Sequence, residues 1–355
     1  MTIKTSRSVL ALAAGSISLW AAPVALADPA AGADEPFTST FSGEIGAEIQ
    51  HDSTFDSDDP DAELDNTTAT IEAALTAQFT RSFSIGATLV FEQVLDQDDD
   101  SVFEDHGFYA EELFAQYDAD WGAVKAGKFN PAFAIGWDAA PGIYGTDFAE
   151  DYELAEQIGA GVEIPLGAEG AHVLSAAVFF ADTTFLSDSV IQDRGQLDKE
   201  DGGAGNTESF ENFAVGLDGE VAGTGYSLGF RRLAAGEGDL EDEYGASAAL
   251  TRAFAVGEGE LELLAEGVWL GNAGGGEDDA LYGVAGVAYT FGDWTASGAY
   301  TIRDIENTDT DHLATATLEY DIGHGFAIGA GYKYETVEDV DAHTVGLLAT
   351  YAYEF

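Results

Sequence analysis

Cysteine is absent, so a catalytic arrangement in this chain would need another nucleophile beside a histidine base, or paired carboxylates near a histidine. Nucleophilic catalysis needs a base within hydrogen-bond reach, and acid–base catalysis by carboxyl groups needs a positioned pair. The six histidines fall in neither arrangement; they are His51, His106, His172, His312, His324 and His343. The sequence therefore predicts a protein that is not an enzyme and that carries no cofactor.

Two acidic runs, at residues 56–61 and 96–100, resemble the sets of oxygen ligands that calcium prefers. Neither run places a glycine at the sharp turn that an EF-hand requires. We interpret both runs as solvated acidic loops and predict no metal site. Loose binding of divalent ions at the surface is the alternative.

The overall charge is strongly negative, with 66 Asp and Glu against 12 Lys and Arg and a net charge of -54. A nucleic-acid partner needs a basic patch to neutralise phosphates, so this composition excludes that class of partner. Negative charge of this size repels itself and is better tolerated where salt screens it.

Alternation of apolar and polar residues predicts β-strands along most of the chain, with no convincing helical period. One clear case is the hairpin in which Gly292-Asp293 separates two alternating segments. Sixteen segments follow this pattern: 40–50, 68–79, 83–94, 108–117, 121–129, 153–164, 171–181, 211–221, 225–234, 243–254, 259–270, 279–291, 294–304, 312–321, 326–335 and 343–355.

The connections between these segments alternate between short turns and long acidic loops, and aromatic residues recur at the segment ends. The long loops are expected at 51–67, 95–107, 130–152, 182–210, 235–242, 271–278, 305–311 and 336–342. This asymmetry and an even strand number are typical of outer-membrane barrels. The sequence predicts an all-β fold, a transmembrane antiparallel up-and-down β-barrel of about 16 strands. A soluble sandwich or propeller is the alternative.

The first residues have the features of an export signal. Lys4 and Arg7 precede a mostly apolar run at residues 9–20, and Ala25-Leu26-Ala27 provides a small-residue cleavage site. We therefore predict a signal peptide over residues 1–27 and a barrel over residues 28–355.

The C-terminal strand ends on Tyr351, Tyr353 and Phe355, and the connection at 130–152 would be the third external loop. With the sixteen alternating segments, these features resemble a general porin of the Gram-negative outer membrane. The resemblance implies a homotrimer in outer-membrane lipid, with a third loop folded into the lumen. It also implies that the barrel-assembly machinery reads the C-terminal strand.

If the oily faces contact lipid, the alternation turns Arg231, Arg303 and Lys333 inward, together with Lys125. Lys128 is three residues further along the same strand, so the alternation turns it to the opposite, lipid-facing side. A bulge near Gly127 or a position beyond the membrane would explain this. General porins often set an arginine cluster opposite an acidic third loop, and the spacing here shows no such cluster. The residues predicted to line the channel or its constriction are Lys125, Lys128, Asp138, Asp147, Glu150, Asp151, Arg231, Arg303 and Lys333.

The function that follows is passive diffusion of ions and small hydrophilic solutes through a water-filled barrel. Because acidic residues dominate the inward faces, we predict a preference for cations. Two alternatives are a substrate-specific channel for a siderophore, sugar or anion, and a structural surface barrel with a closed lumen.

Overall fold

The computed structural model describes residues 37–355 except Asp96 and Asp98. The predicted signal peptide lies outside the described residues. Within them, no helix is long and apolar enough to span a bilayer.

Sixteen long strands form one closed antiparallel barrel. They are β1 (Thr40–Ser57), β2 (Asp65–Thr80), β3 (Phe83–Gln93), β4 (His106–Ala119), β5 (Gly122–Phe129), β6 (Gln157–Leu166), β7 (His172–Ala181), β8 (Asn212–Val221), β9 (Thr224–Leu233), β10 (Glu243–Val256), β11 (Gly259–Gly271), β12 (Ala280–Phe291), β13 (Trp294–Ile305), β14 (Asp311–Gly323), β15 (Phe326–Val337) and β16 (Val340–Glu354).

Each strand pairs with the next one in sequence, and β1 also pairs with β16. Because the first and last strands meet, with Ile45 opposite Tyr353, the sheet closes into a barrel. Every one of the sixteen predicted segments overlaps a strand, so the predicted architecture is confirmed.

The two faces of the wall alternate as the sequence indicates. Leu347 is 60 % exposed on the outer face, whereas its neighbour Leu348 points inward and is 5 % exposed. Exposed aromatic rings gather at the rim formed by the short turns, as in a membrane-interface girdle. They include Phe41, Phe79, Phe83, Tyr117, Trp121, Phe291, Trp294, Phe326, Tyr353 and Phe355.

Two of the predicted long loops are shorter than expected, because the strands continue beyond the alternating core. The strands β1 and β2 extend into the range 51–67 and leave only residues 58–64 between them. The expected loop at 336–342 is a two-residue turn in which Glu338 and Asp339 both have positive φ, 52° and 62°. The pairing of β15 with β16 continues to Val337 opposite Val340 at this turn, and the Tyr334 hydroxyl donates a hydrogen bond to Asp341 beside it.

Strand β5 is short, and this leaves a gap in the wall that another segment fills. β5 pairs with β4 only between residues 113 and 119 of β4. Near the N-terminal end of β4, a two-residue strand at Val190–Ile191 pairs instead with Gly107 and Phe108. This strand belongs to the long fourth loop, residues 182–211, which we call L4. L4 is therefore part of the barrel wall at this position.

Candidate channel constriction

The third long loop, residues 130–156 between β5 and β6, lies inside the barrel; we call it L3. It contains a short helix at Gly136–Ala139 and a 3-10 turn at Glu150–Tyr152. L3 side chains such as Phe133 (2 % exposed) and Tyr152 (0 % exposed) form one apolar cluster with inward residues of the wall. The wall residues of that cluster include Ala249, Leu264, Val268, Tyr282 and Val284. L3 therefore fills the lumen beside β10–β12 with packed apolar side chains.

Glu266 on β11 is the main polar anchor of L3. Its Oε2 accepts a hydrogen bond from the Ile135 backbone N–H at 2.7 Å, and its Oε1 accepts one from Gly136 at 2.8 Å. The Tyr152 hydroxyl donates a third hydrogen bond to Oε1 at 2.6 Å. Glu266 is only 6 % exposed, so these donors are the groups that replace its hydration.

Three of the predicted basic residues contact the same loop from three separate strands, β9, β13 and β15. Arg303 on β13 contacts Asp151 at 2.8 Å, and Lys333 on β15 contacts Asp147 at 3.0 Å. Arg231 on β9 donates to the Tyr152 carbonyl at 2.6 Å.

These three cations do face an acidic third loop, although their spacing in sequence shows no cluster. Each is also paired within the wall: Arg231 with Glu243, Arg303 with Asp311, and Lys333 with Glu335. Their positive charge is therefore neutralised, and their hydrogen bonds position L3.

L3 also reaches the wall on either side of the closure between β16 and β1. The Ile143 backbone N–H donates to Thr317 Oγ1 of β14 at 3.1 Å, and the Tyr144 hydroxyl donates to Asp52 of β1. The loop thus follows the inner wall from β9 to β15 and touches β1 at Asp52, and it leaves most of the side formed by β1–β6 open.

Lys125 faces the lumen on that open side, as the alternation along its strand predicts. Its Nζ lies 3.2 Å from a carboxylate oxygen of Glu163 and 5.1 Å from the ring centroid of Phe129. Its charge is therefore partly balanced by Glu163 on the neighbouring strand.

Lys128 does not face the lumen, contrary to the prediction that it lines the channel. Its side chain is 0 % exposed and contacts Glu156 at 2.6 Å and Asp182 at 2.9 Å. The register of β4 with β5 is continuous through Lys128, so no bulge at Gly127 changes its parity. It lies on the outer face at the end of β5, where L4 covers it.

The open side of the lumen is lined mainly by carboxylates. Glu48, Glu72, Glu92 and Glu112 come from β1–β4 and are half-buried. L3 adds Asp138, which is 9 % exposed, and Glu150, whose Oε1 accepts a hydrogen bond from Thr146 at 3.0 Å.

Asn130 joins this acidic wall to L3. Its Nδ2 donates to Glu111 at 2.6 Å and to Glu153 at 3.4 Å, so a wall carboxylate and a loop carboxylate share one amide. Burial, then repulsion from Glu111 and Glu150, raises the pKa of Glu153 to about 8. This loop carboxyl therefore changes charge near neutral pH.

A closed sixteen-strand barrel with a loop packed in its lumen is the geometry of an outer-membrane channel. A family model described as Gram-negative porin matches residues 9–354. The chain belongs to this porin family. It is an outer-membrane channel protein, which confirms the predicted location and the predicted class of function.

Solved structures of other outer-membrane proteins share the fold of this porin. OprB of Pseudomonas putida has a TM-score of 0.62 at 11% identity, covering 89% of this chain and 94% of that chain. OpdK of Pseudomonas aeruginosa, solved with vanillate, has 0.54 at 12%, covering 89% and 99%. OmpT of Vibrio cholerae, in a trimer form, has 0.50 at 13%, covering 89% and 99%. Comparison with curated proteins gives no match.

The functional residues that the sequence did not single out are those that act through L3. Glu266 lies within the predicted strand 259–270, and Asn130 and Tyr152 are the two ends of the predicted loop 130–152, but no sequence pattern distinguishes these three residues from their neighbours. No short-range pattern links a loop residue to a wall residue more than 100 positions away, as in the 114-residue separation of Tyr152 and Glu266.

Proposed function

We propose that this porin is a passive diffusion channel that prefers cations and is not an enzyme. The observation that carries the proposal is the division of charge inside the barrel. Carboxylates of β1–β4 line the open side, whereas Arg231, Arg303 and Lys333 are paired with L3 and with the wall. A permeating ion therefore meets a negative field, which enriches cations and repels anions.

Reversal potentials across a salt gradient in planar bilayers test this proposal. We expect a potential whose sign shows cations crossing more readily than anions. An anion preference, or no current from correctly folded protein, would overturn it.

The cation preference should increase as the pH rises through about 8, because the raised pKa keeps the Glu153 carboxyl protonated and neutral below that value. Above it, a further negative charge appears beside the open side of the lumen. Reversal potentials measured at several pH values should show this step in the wild type. Glu153→Gln should make this step smaller, whereas Glu200→Gln, in the exposed part of L4, should leave it unchanged. An unchanged step in Glu153→Gln would contradict this assignment.

The C-terminal strand is the part of the porin that bears on its assembly. The backbone of Phe355 exchanges two hydrogen bonds with Gly43, at 3.0 Å and 3.1 Å, where β16 closes the barrel against β1. We propose that the barrel-assembly machinery recognises this C-terminal strand before closure, after removal of a signal peptide at residues 1–27. A trimer form is recorded for the similar OmpT, and we propose a homotrimer here.

A further inference from the structure

A cavity of about 500 Å³ opens between the top of β3 and L4. We propose that it binds small zwitterionic solutes carrying one ammonium and one carboxylate group, as free amino acids do. The inference deepens the proposed channel function and rests on it, because such a site would load solute at the channel entrance. The residues that argue for it are Asn66, Glu92, Gln93 and Arg194, which line the cavity, and Tyr109.

Arg194 is a preorganised anion-binding group. Its guanidinium carbon lies 3.7 Å from the ring centroid of Tyr109, so the planar group stacks on the ring. Its Nε donates to the Ser187 carbonyl at 2.9 Å and its Nη2 to Glu156 at 2.6 Å. Nη1 has no hydrogen bond to the residues that the structure describes, and it is the donor left for a carboxylate.

Glu92 is the complementary group for an ammonium. Its Oε1 accepts a hydrogen bond from the Tyr109 hydroxyl at 2.5 Å, and Oε2 has no hydrogen-bond partner in the described part of the chain. Tyr109 therefore contacts both charged groups, the guanidinium through its ring and the carboxylate through its hydroxyl. This shared contact fixes the distance between the two charges before a solute arrives.

The charge balance of the cavity selects for a solute with both charges. The whole chain has 66 acidic and 12 basic side chains. Among the described residues that line this cavity, the charged ones are Glu92 and Arg194, one of each sign. A solute with only an ammonium leaves Nη1 of Arg194 without a partner. A solute with only a carboxylate lies close to Glu92, while Glu156 already offsets part of the Arg194 charge. A zwitterion pairs with both. The amides of Asn66 and Gln93, hydrogen-bonded at 2.8 Å, add neutral polar groups to the lining.

Calorimetric titration of the purified full chain in detergent with L-serine tests the proposal. Ethanolamine, with an ammonium alone, and propionate, with a carboxylate alone, are the matched probes. We expect L-serine to bind more tightly than either. Arg194→Gln and Glu92→Gln should each weaken serine binding by about tenfold, the effect of losing one charge-assisted hydrogen bond. Arg232→Gln, which removes an arginine paired with Asp242 away from the cavity, should bind serine like the wild type.

Equal binding of the three probes, or wild-type serine affinity in both cavity variants, would overturn the site. If Arg194→Gln fails to fold, Glu92→Gln still decides, because glutamine keeps an acceptor for the Tyr109 hydroxyl. If the channel proposal is wrong and the binding site is real, serine still binds but the protein gives no conductance in bilayers. Failure of the site alone leaves normal cation-selective conductance without serine binding.

Discussion

Glu266→Ala is expected to raise the single-channel conductance, because L3 loses its main anchor. The substitution leaves the Ile135 and Gly136 N–H groups and the Tyr152 hydroxyl without their acceptor. Each buried donor without a partner costs about 1–3 kcal/mol. The packed position of L3 is therefore weakened by at least about 3 kcal/mol relative to a hydrated one. A loop that leaves the wall for part of the time widens the path and adds current noise.

The matched control is Glu262→Ala, which removes the same charge from the same face of β11, four residues closer to the short-turn rim. Glu262 makes no hydrogen bond to L3 among the described residues. Recordings of the two variants under identical salt separate the loss of the anchor from the loss of a charge. Equal conductance in both variants would show that Glu266 does not hold the loop.

Lys128→Met is expected to destabilise the barrel near L4 by about 3–5 kcal/mol. Lys128 is fully buried between Glu156 and Asp182, and Asp182 is itself 2 % exposed. Removing the ammonium leaves the buried Asp182 without its ion partner, whereas Glu156 keeps its contact with Arg194. The loss of a partner from a buried ion pair is strongly destabilising for this reason.

The temperature at which the folded barrel converts to the slower-migrating unfolded form on a gel measures this effect. Lys199→Met provides the control, because Lys199 lies in the exposed 3-10 turn of the same loop. We expect a clearly lower transition for Lys128→Met and a wild-type transition for Lys199→Met. Identical transitions would mean that the ion cluster contributes nothing to stability.

The strands could be predicted because period-two alternation is local, and because the short turns contain residues such as Gly292 that suit tight hairpins. The path of L3 could not be predicted in the same way. Its position depends on contacts of Glu266, Arg231 and Arg303 with a loop far away in sequence. Alternation predicts that each of these side chains points inward, but it does not predict which loop residue the side chain contacts.

At Lys128 the sequence carries a local signal but does not show its structural explanation. A lysine on the lipid-facing side of a strand costs free energy at bilayer depth. Its ammonium group therefore needs an ion partner, or a segment of the protein that shields it from lipid. Its partners are Glu156, the last residue of L3, and Asp182, the first residue of L4. Neither loop has a periodic pattern from which its position could be predicted. The length of L4 was visible in the sequence, but its role as part of the wall was not.

Cysteine accessibility tests most directly the central claim that water and ions pass beside β1–β6 while L3 fills the opposite side. The chain has no cysteine, so single substitutions report one position each. Gln116→Cys places a thiol on the inner face of β4, and Ser247→Cys places one on the inner face of β10, where Ser247 is 8 % exposed. With a cationic thiol reagent during bilayer recording, we predict a fall in current for Gln116→Cys and no change for Ser247→Cys. Modification and block at Ser247→Cys, with Gln116→Cys unaffected, would contradict the account.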